Sequence, residues 1–159
     1  MVNAAKFFGF TYLGRDEENN VELHQEGRIE KYKLLNLIEF DSTRKRMTSV
    51  FRDQMGTIKV MCKGADSVLL PLLKKPEDPE ISALISKTNE YLDQYAKTGL
   101  RTLLIVEKTI TDQEYEVWSL KYKNAAESLT DRDLKLEKVA EELERDFDLV
   151  GSTAIEDKL

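Results

Sequence analysis

The sequence is poor in the residues that build most covalent and metal-dependent sites. Its 159 residues include one cysteine, Cys62, and one histidine, His24. A single cysteine excludes an internal disulfide and a cysteine-rich zinc site. A Ser-His-Asp or Cys-His catalytic site would have to use His24. The neighbours of His24, Val21 to Gln25, alternate as in an exposed strand and show no catalytic pattern, so His24 is interpreted as a surface residue.

Long hydrophobic runs and a surplus of basic residues are also lacking. The longest apolar stretches are short, such as Leu103 to Val106, far below the roughly 20 residues of a membrane-spanning helix. The N-terminus has no signal-peptide pattern. The formal net charge of −6 argues against general nucleic-acid binding, which requires a basic surface. Hydrophobic residues make up 41% and charged residues 34% of the chain, so we expect one cytosolic domain with a real core.

The chain begins with β-type patterns and continues with mostly helical ones. A short helix is expected at 3–6, and residues 14–20 form a turn by composition. Seven strands are predicted, over residues 7–12, 21–25, 29–40, 47–52, 57–63, 102–109 and 149–155. Short gaps at 26–27 and 53–56 favour antiparallel hairpins. Together these patterns predict an α+β fold, a twisted antiparallel β-sheet flanked by helices.

Three longer helices are predicted from the residues that begin them. Asp78-Pro79 is a favourable N-cap followed by proline, and Gly99 ends the helix that follows. Thr111 to Glu114 is a capping box that opens the second helix. Thr130 to Asp133 begins the third. The apolar side of this third helix is predicted to be Leu136, Val139, Leu143 and Phe147. Its acidic residues are expected to be solvated, and they include Glu137, Glu141, Glu142 and Glu144.

The most informative junction is Lys63-Gly64-Ala65-Asp66, where a predicted strand gives way to an apolar helical run. In that strand Cys62 shares a face with Val60, and Lys63 points to the other face, which makes Cys62 a buried, inert thiol. Glycine removes the Cβ that would block the approach of a ligand to the backbone. Lysine supplies a positive charge suited to phosphate. The alternative for this segment alone is a strand end with a solvated lysine.

Three further features accompany this junction. Phe40 ends an apolar strand, where an aromatic ring can stack on a purine; the alternative is a core phenylalanine. Arg44-Lys45-Arg46 is a basic turn that either attracts phosphates or is a solvated loop. Arg101 follows Gly99-Leu100, and its guanidinium either binds phosphate or pairs with a surface carboxylate. Together with the junction, these features suggest a site for an aromatic base that carries a polyanion.

Four stretches of the chain occur in an order typical of one family. They are Glu39 to Val50, Cys62 to Asp66, Gly99 to Leu103 and Gly151 to Leu159. In these stretches, and over essentially its whole length, the chain closely resembles the nucleotide-binding domain of type-IV P-type ATPases, the phospholipid flippases. The Arg-Lys-Arg-Met, Lys-Gly-Ala-Asp and Ala-Ile-Glu-Asp-Lys-Leu segments are specific in combination.

The resemblance implies a set of ATP-binding residues and no catalytic or metal-ligating ones. The implied ATP-binding residues are Phe40, Lys45, Lys63, Gly64, Ala65 and Arg101. Phe40 would stack on adenine, and Lys45 and Lys63 would lie near the base, the ribose and the phosphates. The two small residues would form the floor, and Arg101 would reach the phosphates. Asp157 would lie in a hinge that returns to a phosphorylation domain.

The resemblance also implies the place of this chain in a larger protein. Residues 1–159 would be a single nucleotide-binding domain, with about 150–159 forming the return strand and hinge. As the cytosolic domain of an integral membrane protein, it would present ATP to the phosphorylation domain and so drive phospholipid translocation. Its partners would be ATP and the phosphorylation and actuator domains of the same parent chain, with phospholipid bound only by a membrane domain. Mg²⁺ would accompany ATP, with most of its ligands in the phosphorylation domain, and the chain alone would bind ATP without hydrolysing it.

Two alternatives stand beside this interpretation. One is a protein-interaction module that uses its acidic helices and has no nucleotide site. It predicts that Phe40→Ala strongly unfolds the domain and that ATP causes no thermal shift. The other is an ATP-sensing regulatory module with no coupling to transport.

Overall fold

The β-sheet is an antiparallel meander, in which each strand pairs with the next one along the chain. Its strands are β1 Phe10–Arg15, β2 Asn20–Gln25, β3 Arg28–Ile38, β4 Arg46–Arg52, β5 Ile58–Gly64, β6 Arg101–Ile110 and β7 Asp148–Ile155. The computed structural model describes residues 2–156, so Asp157 lies outside the described residues. The predicted α+β fold is confirmed, and each of the seven predicted strands overlaps an observed one.

Within residues 2–156, five α-helices and one 3₁₀ helix accompany the sheet. The α-helices are α1 Val2–Phe7, α2 Asp66–Leu69, α3 Pro79–Lys97, α4 Asp112–Ala126 and α5 Arg132–Leu143, and the 3₁₀ helix is Leu70–Leu72. The Asp78 side chain accepts a hydrogen bond from the backbone N–H of Glu80 at 2.8 Å, which confirms the predicted cap of α3. None of the helices within residues 2–156 is long and apolar enough to cross a membrane.

The capping box of α4 is also present. The backbone N–H of Glu114 donates to the Thr111 hydroxyl at 3.2 Å, and the Glu114 carboxylate accepts from the backbone N–H of Thr111 at 2.7 Å. Two otherwise unpaired backbone donors are thereby satisfied.

The C-terminal end of α3 is marked by Gly99. Its φ is +79°, the left-handed conformation that commonly ends helices.

The first strand is displaced relative to its prediction. Helix α1 continues to Phe7, so β1 begins at Phe10, and Gly14 and Arg15 lie in the strand rather than in the turn. The pairing of β1 with β2 shifts register between Tyr12 and Gly14, where Gly14 has a φ of +143°. A bulge of this kind inserts a residue without ending the strand. The composition of this segment indicated a turn because glycine favours turns as well as bulges.

Phe147 was predicted on the third long helix, and this prediction is wrong. Helix α5 ends at Leu143, and Asp146 has a left-handed φ of +57°. Phe147 forms an isolated parallel bridge with Leu73, and its backbone N–H donates to the Leu72 carbonyl at 3.1 Å. The ring is 1% exposed. Its apolar character therefore reflects packing beside the 3₁₀ helix and not a helical period.

The hydrophobic core lies against one face of the sheet. In β5, Val60 and Cys62 are buried, whereas Met61 and Lys63 are exposed, which confirms the predicted division of faces. The helices contribute Leu69, Leu92, Trp118, Ala140 and Leu143 to the same buried cluster. Lys63 consequently points away from the core, toward the open side of the sheet.

Candidate functional site

One cavity brings together every site residue that the sequence predicted. It measures about 510 Å³. The predicted residues that line it are Phe40, Lys45, Lys63, Gly64, Ala65 and Arg101. They come from the end of β3, the start of β4, the end of β5 and the start of β6. These chain segments meet at one end of the sheet. Neighbouring strands in an antiparallel sheet run in opposite directions, so the end of one strand lies beside the start of the next.

Three further residues line the cavity and were not predicted as site residues. They are Met47, Thr102 and Leu103. Met47 lies directly opposite Lys63 in the pairing of β4 with β5. Strand alternation offered a signal for two of them, because Met47 is two residues beyond Lys45 and Leu103 is two residues beyond Arg101. Met47 and Leu103 add apolar side chains beside the cations.

Phe40 lies just beyond the end of β3 and is not a core residue. Its side chain is 63% exposed, whereas Ile38, two positions earlier, is 7% exposed. The alternative of a core phenylalanine is therefore excluded. An exposed aromatic ring on the wall of a cavity has a face available for stacking.

A hydrogen-bonded turn carries the chain from Phe40 to Lys45. The Asp41 carboxylate accepts from the backbone N–H groups of Thr43 at 2.5 Å and Arg44 at 3.2 Å. These hydrogen bonds to the ionised form lower the pKa of Asp41 below its usual value. The backbone N–H of Lys45 donates to the Asp41 carbonyl at 2.7 Å. The turn is thus held by the side chain and the backbone of a single residue.

Lys45 has an unusual backbone conformation that the neighbouring strand supports. Its φ is +52°, in the left-handed region that non-glycine residues seldom adopt. Its carbonyl accepts a hydrogen bond from the backbone N–H of Ala65 at 3.1 Å. Its side chain is exposed and lines the cavity.

Gly64 is required by the packing of the two strands. A Cβ at this position would lie 2.6 Å from the Lys45 carbonyl oxygen and 2.6 Å from the Cβ of Arg46. The sequence interpretation assigned the missing Cβ to the approach of a ligand. The structure adds a second reason, which is that the Lys45 backbone occupies this space.

The two arginines of the basic turn do not face the cavity. Arg44 and Arg46 are each 9% exposed and bind the Glu144 carboxylate, which is 1% exposed. The Arg46 Nε lies 2.7 Å from Oε2 of Glu144, and Arg44 Nη2 donates to Oε1. The Thr48 hydroxyl also donates to Oε1, at 2.6 Å. These four residues are called the Glu144 cluster below.

The Glu144 cluster corrects two predictions. The turn was expected either to attract phosphates or to be solvated, and for Arg44 and Arg46 both expectations are wrong. Glu144 was expected on a solvated face of the last helix, which is also wrong, because it caps the end of α5 from a buried position. A buried charge needs a partner, and each guanidinium finds one in this carboxylate.

The charge around the cavity is of one sign. The nine lining residues, all within the described part of the chain, include three cations and no carboxylate. These cations are Lys45, Lys63 and Arg101. Mg²⁺ prefers oxygen ligands such as carboxylates, so these side chains do not fit a metal ion of their own. A ring face, an apolar patch and converging positive charge instead suit an aromatic base that carries phosphates.

Cys62 and His24 lie outside this cavity. Burial raises the pKa of the Cys62 thiol to about 11, so the thiol is protonated at neutral pH. The predicted burial of Cys62 is confirmed. His24 lies in β2 and is half-buried rather than fully on the surface.

Comparisons with known proteins show the family to which the chain is similar. Residues 4–159 match the family profile described as P-type ATPase, cytoplasmic domain N. The chain is 40% identical over 159 residues to a phospholipid-transporting ATPase, DNF1, of Chaetomium thermophilum. It is 41% identical over 160 residues to the phospholipid-transporting ATPase DRS2 of Saccharomyces cerevisiae, and 40% identical over 159 residues to the phospholipid-transporting ATPase IC of Homo sapiens.

These relatives are much longer proteins. Each alignment covers 100% of this chain but only 10% of the Chaetomium protein and 12% of the yeast and human proteins. The chain therefore spans about a tenth of the length of the curated relatives that it matches.

Proposed function

Because the chain belongs to the family of the P-type ATPase cytoplasmic domain N, we propose that it is the ATP-binding domain of a phospholipid-transporting P-type ATPase. It holds ATP and presents it to the phosphorylation domain of the same parent chain, an enzyme that couples ATP hydrolysis to phospholipid translocation. The observation that carries this proposal is the cavity that unites an exposed Phe40 with Lys45, Lys63 and Arg101.

Each of the six predicted ATP-binding residues has a role that its chemistry suits. Phe40 stacks on adenine, a contact typically worth about 1–3 kcal/mol. Lys45, just before β4, and Lys63, in the neighbouring strand β5, contact the base, the ribose and the phosphates. Arg101 binds phosphate. Gly64 and Ala65 form the floor, where small side chains leave the backbone accessible.

The contribution of this domain is binding and positioning. Phosphoryl transfer is catalysed largely by positioning and by stabilisation of charge, and the cavity-lining residues include no carboxylate to bind a metal ion. Mg²⁺ arrives with ATP, and most of its protein ligands are in the phosphorylation domain. The phosphorylation and actuator domains are the partners within the parent chain, and phospholipid is bound by the membrane domain.

A titration of the 159-residue chain with ATP, followed by NMR amide shifts, tests the proposal. One stacked ring and three exposed cations predict a Kd on the order of 0.1–1 mM. We expect shifts at Phe40, Lys63 and Arg101. Their absence at about 10 mM ATP, together with no thermal shift, would favour the interaction-module alternative.

Phe40→Ala provides a sharper test with two matched controls. It should weaken ATP binding at least about fivefold through loss of stacking. It should cost far less stability than Phe147→Ala, which removes a core ring and is expected to cost about 3–5 kcal/mol. Phe8→Ala removes another exposed ring, 74% exposed and outside the cavity, and should leave ATP binding unchanged. If Phe40→Ala unfolds the domain instead, Phe40 has a structural role.

A further inference from the structure

We propose that Glu144 is a positioning residue for the ATP pocket, and that it acts through Lys45. It holds Arg44 and Arg46 on the buried side of the turn, so that the residue between them is presented to the cavity. The inference rests on the proposed function, because it concerns the pocket in which ATP is held.

Both arginines depend on the Glu144 carboxylate. Its two oxygens accept three hydrogen bonds, from Arg44, Arg46 and Thr48. Within residues 2–156, the other hydrogen bonds donated by the two arginine side chains are long and weak. Arg44 Nη1 donates to the Glu39 carbonyl at 3.4 Å, and Arg46 Nη1 donates to the Arg44 carbonyl at the same distance. Arg44 Nε is buried with no partner in the described part of the chain. Without Glu144, two buried charges would lack their main partner.

Lys45 is tied to this cluster by its place in the chain. It lies between two anchored arginines, and its left-handed φ of +52° is a strained conformation that its surroundings must maintain. Its carbonyl contacts the Ala65 N–H, and a Cβ on Gly64 would collide with that carbonyl. If the arginines lose Glu144 and turn toward solvent, the backbone of Lys45 must turn with them.

The cluster also determines which charges ATP meets. A turn with three exposed cations would attract any polyanion from several directions. Because one carboxylate binds Arg44 and Arg46 on the buried side, Lys45 is the cation that this turn offers to the cavity. Glu144 therefore sets both the position and the number of positive charges contributed by the turn.

A double-mutant cycle separates a positioning role from a purely structural one. We expect Glu144→Gln to weaken ATP binding about fivefold in the otherwise unchanged chain. In a Lys45→Ala background the same change should alter the Kd less than about twofold, because the residue through which it acts is gone. In a Lys63→Ala background the effect should remain about fivefold. Kd values are measured by calorimetry under conditions where urea titrations show each variant to be folded.

If Glu144→Gln does not fold, Thr48→Val replaces it in the double-mutant cycle. It is nearly isosteric and removes one of the three hydrogen bonds to Glu144. We expect it to weaken ATP binding about twofold, again only when Lys45 is present. Glu142→Gln, which changes an exposed acid in the last turn of α5, serves as the control and should change nothing.

The outcomes distinguish the two proposals. If the unmodified chain does not bind ATP, the proposed function fails and this inference fails with it. If ATP binds, but Glu144→Gln or its replacement has no effect, or has the same effect with and without Lys45, only the positioning role is overturned.

Discussion

Arg44 and Arg46 differ from Lys45, the residue between them, in almost every physical respect. The arginines are 9% exposed and bind Glu144, whereas Lys45 is exposed and lines the cavity. One tripeptide thus serves two regions of the molecule, a buried ion cluster and an open pocket. The difference teaches that a basic run in a sequence does not show which of its charges meets a ligand. A carboxylate elsewhere in the chain makes that selection.

The two regions should also differ in energy. A buried ion pair is costly to break, because the remaining partner stays buried and unpaired. A solvated cation contributes little to stability, because water replaces its partners. Substitutions in the Glu144 cluster should therefore reduce stability more than substitutions of the exposed cations that line the cavity.

Glu144→Ala should have the largest effect on stability. It removes the shared partner of two buried guanidinium groups, and we expect the free energy of unfolding to fall by about 3–5 kcal/mol. Urea titration monitored by Trp118 fluorescence measures this loss. Two controls should cost less than about 1 kcal/mol, namely Lys45→Ala and Glu142→Ala, which breaks only an exposed pair with Lys121. Equal losses in all three variants would contradict the comparison.

Cys62 allows the effect of burial on stability to be measured at alkaline pH. Burial raises the pKa of its thiol from 9.0 to about 11. The folded state therefore favours the protonated thiol, so its contribution to stability is fully present below pH 9 and is lost as pH rises toward about 11. We expect a loss of about 2–3 kcal/mol over this window.

Cys62→Ala is the reference for this measurement. The smaller side chain reduces stability by an amount that does not depend on pH, and it removes the titrating group. Urea titrations at several pH values between 9 and 11 should show a steeper loss for the unmodified chain than for the variant. Parallel curves would show that the thiol does not titrate in this environment.

Gly64→Ala should have a smaller effect on stability than Glu144→Ala or the ionisation of Cys62. The added Cβ would lie 2.6 Å from the Lys45 carbonyl oxygen, so the backbone must shift, at a cost of about 1–3 kcal/mol. Gly151→Ala is the matched control in β7, where a Cβ would meet nothing within 4 Å. Alanine there should be neutral or slightly stabilising, because glycine is unfavourable inside strands. Equal effects at both positions would exclude the steric explanation.

Much of the fold could be predicted because its determinants are local. Alternation indicated the strands, and the short gaps at 26–27 and 53–56 indicated antiparallel hairpins, both of which the observed pairing contains. Asp78 and Thr111 cap their helices through residues two and three positions away. The six predicted site residues share a cavity because, in an antiparallel sheet, the end of each strand lies beside the start of the next.

The features that could not be predicted depend on contacts between distant residues. Nothing near Glu144 in the sequence distinguishes it from the solvated Glu141 and Glu142. Its burial is decided by arginines about a hundred residues earlier. Phe147 was assigned to a helix for the same reason, because its spacing is local and its partner Leu73 is not.

The separation between Glu144 and its arginines has a consequence for the order of folding. The cluster joins residues 98 and 100 positions apart, whereas the hairpins of the meander join close neighbours. Closing a long loop costs more chain entropy than closing a short one, and such contacts form late. In pulsed hydrogen exchange during refolding, we expect the amide of Val60 to become protected before that of Lys45. The cavity beside this turn should then be completed late in folding, after the hairpins, so the nucleotide binding proposed above would require the fully folded chain.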